Sequence, residues 1–268
     1  MCSGHGQCLS MRQLALLATD SSGDPTPYVY GTHATAASTW EADMLHGCYC
    51  DTFRYDEGSG PSYHRLSDYT GYDCSIRKCP YGENPRKGYG AAAPSPAPTP
   101  APTPLFETQR IACDASSGTF TMAFRTETTA ALNVATLTIS QLETALEGLG
   151  TIGDVVVTAS TGTAVCAASA GLTVDVQFRT ELGTSLPKLR TPTTSNLAGG
   201  AASITITKQI TGTKTLVECS EHGLCTEATG ECSCFEGWGS SDGDRNVGHR
   251  QDCGANLVPY GSTPSAIV

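Results

Sequence analysis

Thirteen cysteines in a chain of 268 residues limit what this sequence can fold into more than any other feature. Two stretches share one spacing, with Cys2 and Cys8 in "CSGHGQC" and Cys219 and Cys225 in "CSEHGLC". Each is followed by a Cys-x-Cys pair and then by a glycine-rich stretch that ends in a last cysteine. Segments of this kind bury too little apolar surface to fold unaided, so disulfides have to supply stability. The spacing predicts two small disulfide-stabilised modules.

The cysteine content also indicates an oxidising compartment, so we expect an extracellular protein. The number of cysteines is odd, and at least one thiol must lack a partner within the chain. The net charge of −10 and the scattered Lys and Arg residues argue against nucleic-acid binding. No stretch reaches the roughly 18 apolar residues of a membrane helix, and none has the form of a signal peptide. We therefore expect part of a longer secreted protein, with no membrane insertion in this segment.

Metal binding is the alternative use of these side chains. Cys-x-Cys pairs suit zinc as thiolates, but the unequal spacing between the pairs and the secreted character favour oxidised bridges. Histidines in loops of the first module could also bind a metal, and they are His33, His46 and His64. They share no spacing, so we expect them to be solvated.

The first module contains a 39-residue insertion between Cys8 and Cys48. Its segment "SMRQLALLA" predicts a short helix with Met11, Leu14 and Leu17 on one side.

A proline-rich tract, "AAAPSPAPTPAPTP" at residues 91–104, follows the first module. Alternation of Pro with Ala, Thr or Ser favours polyproline II, which makes the tract a semi-rigid spacer. Hydroxyl residues in such a tract are candidates for O-glycosylation, and here they are Ser95, Thr99 and Thr103.

Residues 106–214 predict a β-rich α+β domain with one helix. Alternation of apolar and polar residues predicts half-buried strands in "GTFTMAFRTE", "LTVDVQFRTE" and "SITITKQI", and "DVVVTAS" predicts a more fully apolar strand. The residues on the apolar faces are Phe120, Met122 and Phe124, then Leu172, Val174, Val176 and Phe178, then Ile204, Ile206 and Ile210. In "TISQLETALEGLG" the leucines follow helical spacing, with Ser140 and Glu143 as a capping box.

Cys113 and Cys166 precede the two copies of "FRTE" in this domain at nearly equal offsets. We predict that they form a disulfide with each other. The alternative is that both are buried free thiols, because a free cysteine packs like a small apolar residue.

The two cysteine modules resemble the EGF-like module of the tenascin type. That family pairs its cysteines first with third, second with fourth and fifth with sixth, and both modules here lack the first cysteine immediately upstream. The resemblance implies four disulfides: Cys2–Cys48, Cys50–Cys74, Cys219–Cys232 and Cys234–Cys253.

Under the same resemblance, Cys8, Cys79 and Cys225 remain. Cys225 needs a first cysteine, and Cys79 follows the end of the first module, where the first cysteine of a new module belongs. We therefore expect a Cys79–Cys225 bridge, with the linker and the α+β domain inserted into the second module. Cys8 is expected to be unpaired, or bonded to a cysteine upstream or in a neighbouring subunit.

The segments "CSGHGQCLSM", "GYDCSIRKCPYGENP" and "CSCFEGW…DC" together resemble the EGF-repeat proteins of stramenopile algae and oomycetes. That family includes proteins of flagellar hairs (mastigonemes) and sexually induced surface proteins, and the central segment resembles a β-rich repeat domain of large extracellular proteins. The resemblance implies a structural repeat unit of a filament on the cell or flagellar surface, with copies of itself or related repeats as partners. The alternative is an adhesion or recognition protein that binds a glycan or a protein.

This interpretation divides the chain into five segments. They are a first EGF-like module with a long insertion at 1–79, a proline-rich linker at 80–105, the α+β domain at 106–214, a second EGF-like module at 215–256 and a tail at 257–268.

Motifs for chemistry are scarce. The sequence has no Gly-x-Ser-x-Gly elbow, P-loop or dinucleotide fingerprint, so we expect neither an enzyme nor a cofactor. "DGDRN" offers oxygen ligands at alternate positions, Asp242, Asp244 and Asn246, as a calcium loop begins. It lacks the glycine and the closing glutamate of an EF-hand, so a turn with surface acids is preferred. In "HGQC" and "HGLC" we expect glycine to make a turn and histidine to pack.

Overall fold

The computed structural model describes residues 2–19, 25–31, 39–50, 55–58, 62–65, 69–84, 104–168 and 171–258. As predicted, the protein is mainly β with few helices and contains six disulfides. None of the helices in the described ranges has the length and apolar character needed to span a bilayer.

The first part of the chain contains short elements only. A 3₁₀ turn covers Cys2–Gly4 and two helices follow, α1 at Met11–Leu16 and α2 at Glu41–Met44. Its strands are β1 Gly6–Ser10, β2 His46–Cys50, β3 Tyr55–Gly58, β4 Ser62–Arg65, β5 Tyr69–Thr70, β6 Ile76–Arg77 and β7 Tyr81–Gly82.

Helix α1 begins with a capping box, because Ser10 and Gln13 each accept a hydrogen bond from the other's backbone N–H. The predicted face of this helix is only partly right. Ala15 is the buried residue, while Leu17 ends the helix and is 43% exposed. The helix is therefore held by its cap and by α2 more than by an apolar stripe.

The central domain carries one helix among its described residues, α3 at Ile139–Glu147. Its strands are β8 Thr108–Asp114, β9 Ser117–Phe120, β10 Ala123–Phe124, β11 Glu127–Thr128, β12 Leu132–Asn133, β13 Val155–Ala159, β14 Val174–Phe178, β15 Thr194–Ala198 and β16 Ser203–Ile210. One antiparallel sheet has the order β13-β14-β8-β16, and a second has the order β12-β9-β15. The core includes the buried side chains of Ile111, Phe120, Phe124, Leu142, Leu146, Val176 and Phe178.

The alternation seen in the sequence sets the buried faces of these strands. Along β14, Val174, Val176 and Phe178 are buried and the residues between them are half-buried. The predicted strand "GTFTMAFRTE" is divided between β9 and β10, although its three large apolar residues are all buried. Two predictions are wrong: Ile210 is exposed after a bulge, and Val156 is 40% exposed because it lies on the opposite face of β13 from the buried Val155 and Val157.

The cap of helix α3 also differs from the prediction. Thr138 and Gln141 form the capping box instead of Ser140 and Glu143. The Glu143 carboxylate instead accepts a hydrogen bond from the backbone N–H of Val157, at 2.9 Å. Glu147 does the same for Val155 at 3.3 Å. Helix α3 thus covers main-chain donors on the outer edge of β13, which protects that edge from pairing with another strand.

The last part of the chain repeats the small elements of the first. A 3₁₀ turn covers Cys219–Glu221, and the strands are β17 Val217–Glu218, β18 Gly223–Thr226, β19 Glu231–Cys234, β20 Trp238–Gly239 and β21 Ala255–Asn256. Residues 81–84, predicted to be linker, belong here instead, because β7 pairs with β17.

The two ends of the central domain lie next to each other. The backbone N–H of Leu105 donates to Thr213 Oγ1 at 2.9 Å, and the N–H of Thr213 donates to the carbonyl of Leu105 at 3.0 Å. The described chain therefore enters and leaves the domain at adjacent positions.

Candidate functional site: two equivalent cysteine modules

Six disulfides crosslink the described residues. The pairs are Cys2–Cys48, Cys50–Cys74, Cys79–Cys225, Cys113–Cys166, Cys219–Cys232 and Cys234–Cys253. They coincide with the pairs expected from the sequence, and the alternative of two free thiols at Cys113 and Cys166 is wrong. Cys8 carries a free, exposed thiol. Apart from Cys113–Cys166, the bonds lie in the two cysteine modules, defined here as the described residues within 2–77 and residues 79–84 together with 215–258.

The 3₁₀ turns that open the two modules have the same unusual backbone. Ser3 has φ 50° and ψ 18°, and Ser220 has φ 53° and ψ 16°. The preceding Cys2 and Cys219 have φ 52° and 48°. Positive φ costs energy in residues other than glycine, so the opening turn of each module is strained in the same way. The surrounding interactions have to stabilise that conformation.

The strand registers of the modules are also the same. Across β1 and β2, Cys8 lies opposite Cys48 and Gly6 opposite Cys50. Across β18 and β19 the corresponding pairs are Cys225 with Cys232 and Gly223 with Cys234. The terminal strand pairs match too, since Tyr69 faces Arg77, three residues after Cys74, and Trp238 faces Asn256, three residues after Cys253.

The shared "HG" dipeptide has a packing role in each module. A Cβ atom on Gly6 would lie 2.9 Å from the Sγ atom of Cys74, and one on Gly223 would lie 2.7 Å from that of Cys253. Only glycine lets the first strand pass this close to the last disulfide. The preceding histidine stacks on an aromatic ring at the start of the terminal hairpin.

These stacks are nearly parallel in both modules. The ring centroids of His5 and Tyr69 are 3.7 Å apart with an interplanar angle of 4°. Those of His222 and Trp238 are 3.4 Å apart with an angle of 7°. Each stack joins the opening turn to the terminal hairpin, which gives histidine the packing role expected from the sequence.

In the second module, residues 79–84 cover the opening turn. The N–H of Cys219 donates to the carbonyl of Pro80 at 2.8 Å, and Asn84 Nδ2 donates to Glu221 Oε2 at 2.8 Å. Gly82 lies directly on two side chains, because a Cβ atom there would overlap Ser220 Oγ and Asp252 Oδ2. Both of these side chains are fully buried.

No family model, curated protein or solved structure matches this chain.

Asp242, Asp244 and Asn246, the calcium candidates that the sequence disfavoured, line a cavity of about 330 Å³ between the second module and the central domain, whose other wall includes Gly153, Asp154 and Thr180. Burial raises the pKa of Asp154 above its ordinary value. A metal ion would need free oxygen ligands on the predicted residues.

Three carboxylate oxygens of Asp242 and Asp244 already accept hydrogen bonds. Asp242 Oδ1 accepts from the N–H groups of Asp244 and Asn246, and Asp242 Oδ2 accepts from the Asn246 side chain at 2.9 Å. Asp244 Oδ2 accepts two bonds from Arg179, at 2.7 and 3.2 Å. Donors satisfy these carboxylates, so the loop closes by itself and ties the module to the domain.

A buried lysine lies at this junction. Lys214 Nζ donates to the carbonyl oxygens of Arg179 and Gly243 and lies 3.7 Å from Asp244 Oδ1. The Arg179 guanidinium and Lys214 Nζ lie 4.2 and 4.8 Å from the ring centroid of Phe106. Burial lowers the pKa of Lys214 to about 8. Sequence reasoning missed this group, which has no local signal.

Within the part of the chain that the structure describes, the sulfur atoms of Cys79, Cys219 and Cys232 lie within 4.8 Å of one another, as zinc ligands would. They belong to two adjacent disulfides and are not thiolates. Of the histidines predicted to be solvated, His46 is exposed, with Nδ1 at 3.2 Å from the Met44 carbonyl oxygen, and His64 lies in β4. His33 and the candidate glycosylation residues Ser95, Thr99 and Thr103 lie outside the described residues.

Proposed function

We propose that this chain is a rigid structural unit of an extracellular assembly, built from EGF-like modules, and that the assembly is a filament such as a flagellar hair. The observation that carries the proposal is the closure of the second module around the central domain by the Cys79–Cys225 disulfide, whose Cα atoms are 5.8 Å apart.

The junction between the central domain and the second module supports a mechanical role. Arg179 bonds Asp244 across it and Lys214 is buried within it, while Arg245 bonds Glu83 at 2.9 Å and joins the two pieces of the module itself. Ion pairs fixed by several donors and by a nearby disulfide resist hinge motion better than a single tether does. A unit that transmits force or sets a spacing needs this stiffness.

Imaging of native material tests the proposal. An antibody against the central domain should label filaments at regular intervals along their length in electron microscopy. A diffuse surface label, together with binding of a soluble glycan or protein, would contradict the filament role and favour adhesion or recognition. Labelling of a cell that lacks filaments would contradict it as well.

A further inference from the structure

We propose that the opening turn of the first module is a docking surface for a Cys-Pro-x-Gly segment of another cysteine module, which it holds through a disulfide to Cys8. This inference rests on the proposed role as a repeat unit and names the contact between repeats. It follows from comparing the two modules position by position.

Among the described residues, the first module has the corresponding surface without a segment like 79–84 over it. Cys8 occupies the position of Cys225, on the first strand and opposite the middle cysteine, but its thiol is free and exposed. Ser3 corresponds to Ser220 by backbone geometry. Asp73 corresponds to Asp252, since each directly precedes the last cysteine of its module.

Exposure of these pairs differs between the modules. Ser220 and Asp252 are each 0% exposed beneath Gly82. Ser3 is exposed and Asp73 is half-buried, with Ser3 Oγ donating to Asp73 Oδ2 at 3.5 Å. The first module thus leaves more exposed the pair of polar side chains that corresponds to the pair beneath Gly82 in the second.

The second module defines the chemistry of the occupant. In that module, Cys79 forms a disulfide with Cys225 on β18. The Pro80 carbonyl accepts a hydrogen bond from the N–H of Cys219, whose counterpart in the first module is Cys2. A glycine is required three positions after the cysteine, because any Cβ would overlap the serine and aspartate side chains below it. Asn84 bonds Glu221 in the second module, but Gly4 stands at that position in the first. A segment that binds beside Cys8 therefore does not need an asparagine at the position of Asn84.

The chain's own segment cannot serve as the occupant, because Cys79 is already bonded to Cys225. The occupant is therefore the segment of a further module of the same kind. Bond formation joins two thiols and releases two protons and two electrons, which a low-molecular-weight disulfide accepts as it is reduced to two thiols.

A peptide assay on the full oxidised chain tests this inference. The probe is the blocked peptide Cys-Pro-Tyr-Gly-Glu-Asn, activated at its cysteine as a thiopyridyl mixed disulfide. The Cys8 thiolate attacks the peptide sulfur and pyridine-2-thione leaves, which can be followed by its absorbance. The comparison peptide has alanine in place of glycine, and Cys8→Ser identifies the reacting thiol.

We expect the glycine peptide to react about tenfold faster than the alanine peptide, and we expect Ser3→Ala to reduce that ratio. The adduct with the glycine peptide should also raise the Tm of the first module, because the seated segment adds backbone bonds, whereas the alanine adduct should not. Equal rates and equal Tm values for the two peptides would overturn the proposal.

Peptide mapping of native material under non-reducing conditions gives a second test. The proposal requires Cys8 joined to a Cys-Pro-x-Gly peptide. Cys8 found free, capped by glutathione or joined to Cys8 of a second copy would contradict it. The peptide assay needs no filament, so a positive result with diffuse surface labelling would retain the docking surface and reject the filament role. A negative result with labelled filaments would do the reverse.

Discussion

Cys79 and Cys225 are separated by 146 positions in the sequence and are joined by a disulfide that closes the second module around the central domain. The bond lies beside Cys219–Cys232, and the backbone of β7 pairs with β17 next to it. The module therefore consists of two distant pieces of chain, and its stability depends on their staying together.

Removing this bond should separate the unfolding of the module from that of the domain. In the loop-entropy relation a loop of this length is worth about 5 kcal/mol, but the contact of Leu105 with Thr213 already holds the chain ends close, so the local loss should be smaller. We expect the double variant Cys79→Ser, Cys225→Ser to show two calorimetric transitions, with the module melting first.

Its control is the double variant Cys113→Ala, Cys166→Ala, which removes the disulfide within the domain core. That change should lower the transition of the domain and leave the module's transition in place. A single transition in the Cys79→Ser, Cys225→Ser variant, at the same temperature as in the parent, would show that this disulfide does not stabilise the module.

Gly82→Ala should destabilise the second module by about 2 kcal/mol, because the added methyl group has to displace Ser220 or Asp252, both buried. Urea unfolding followed by Trp238 fluorescence would measure it, in a Trp40→Phe background that leaves one tryptophan. Gly148→Ala is the matched control, since its nearest atom would be 3.4 Å away and its φ of −70° suits alanine. Equal stabilities for the two variants would refute the close approach.

The stability of the protein should rise with pH between about pH 8 and 10.5 because of Lys214. Burial lowers the folded-state pKa of this lysine from 10.5 to about 8, so in this window the unfolded chain binds more protons than the folded one. The free energy of unfolding should increase by on the order of 3 kcal/mol across the window, measured as the difference between the parent and Lys214→Met.

Lys188→Met serves as the control, because Lys188 is exposed. The pH slope of that variant should equal the parent's. If the free energy of unfolding of Lys214→Met increased with pH as much as that of the parent, other groups would cause the increase and the burial of Lys214 would not contribute to it.

Calcium should leave the Tm unchanged, because hydrogen-bond donors already satisfy Asp242 and Asp244. Asp242→Ala should lower the stability by about 1–2 kcal/mol with or without calcium, since the N–H groups of Asp244 and Asn246 lose their acceptor. Differential scanning fluorimetry with millimolar calcium or EDTA would measure both. A calcium-dependent Tm in the parent that disappears in Asp242→Ala would instead establish a metal site.

Local patterns in the sequence predicted the features that depend on local geometry. Alternation placed Val174, Val176 and Phe178 on one buried face, and the repeated cysteine spacing was compatible with bonds that the structure forms. Where two local signals competed, tertiary contacts decided. Glu143 could cap α3 as judged from sequence, but its carboxylate reaches the N–H of Val157 on a neighbouring strand instead.

Long-range pairing could not be predicted in the same way. Asp244 has the spacing of a calcium ligand, but its partner is Arg179, 65 positions away and without any signal in its surroundings. No pattern in the surrounding sequence indicates that Lys214 is buried at the same junction. One signal was available: "CS" at the start and "DC" at the end of each module align Ser3 with Ser220 and Asp73 with Asp252.

The adjacency of Leu105 and Thr213 has a consequence for how such proteins can diversify. An inserted domain whose two ends lie side by side disturbs the surrounding module no more than a hairpin loop would. A different domain could be grafted there, provided that its own termini meet, without altering the module. Recombination could thus replace the inserted domain while the disulfides of the module stay the same.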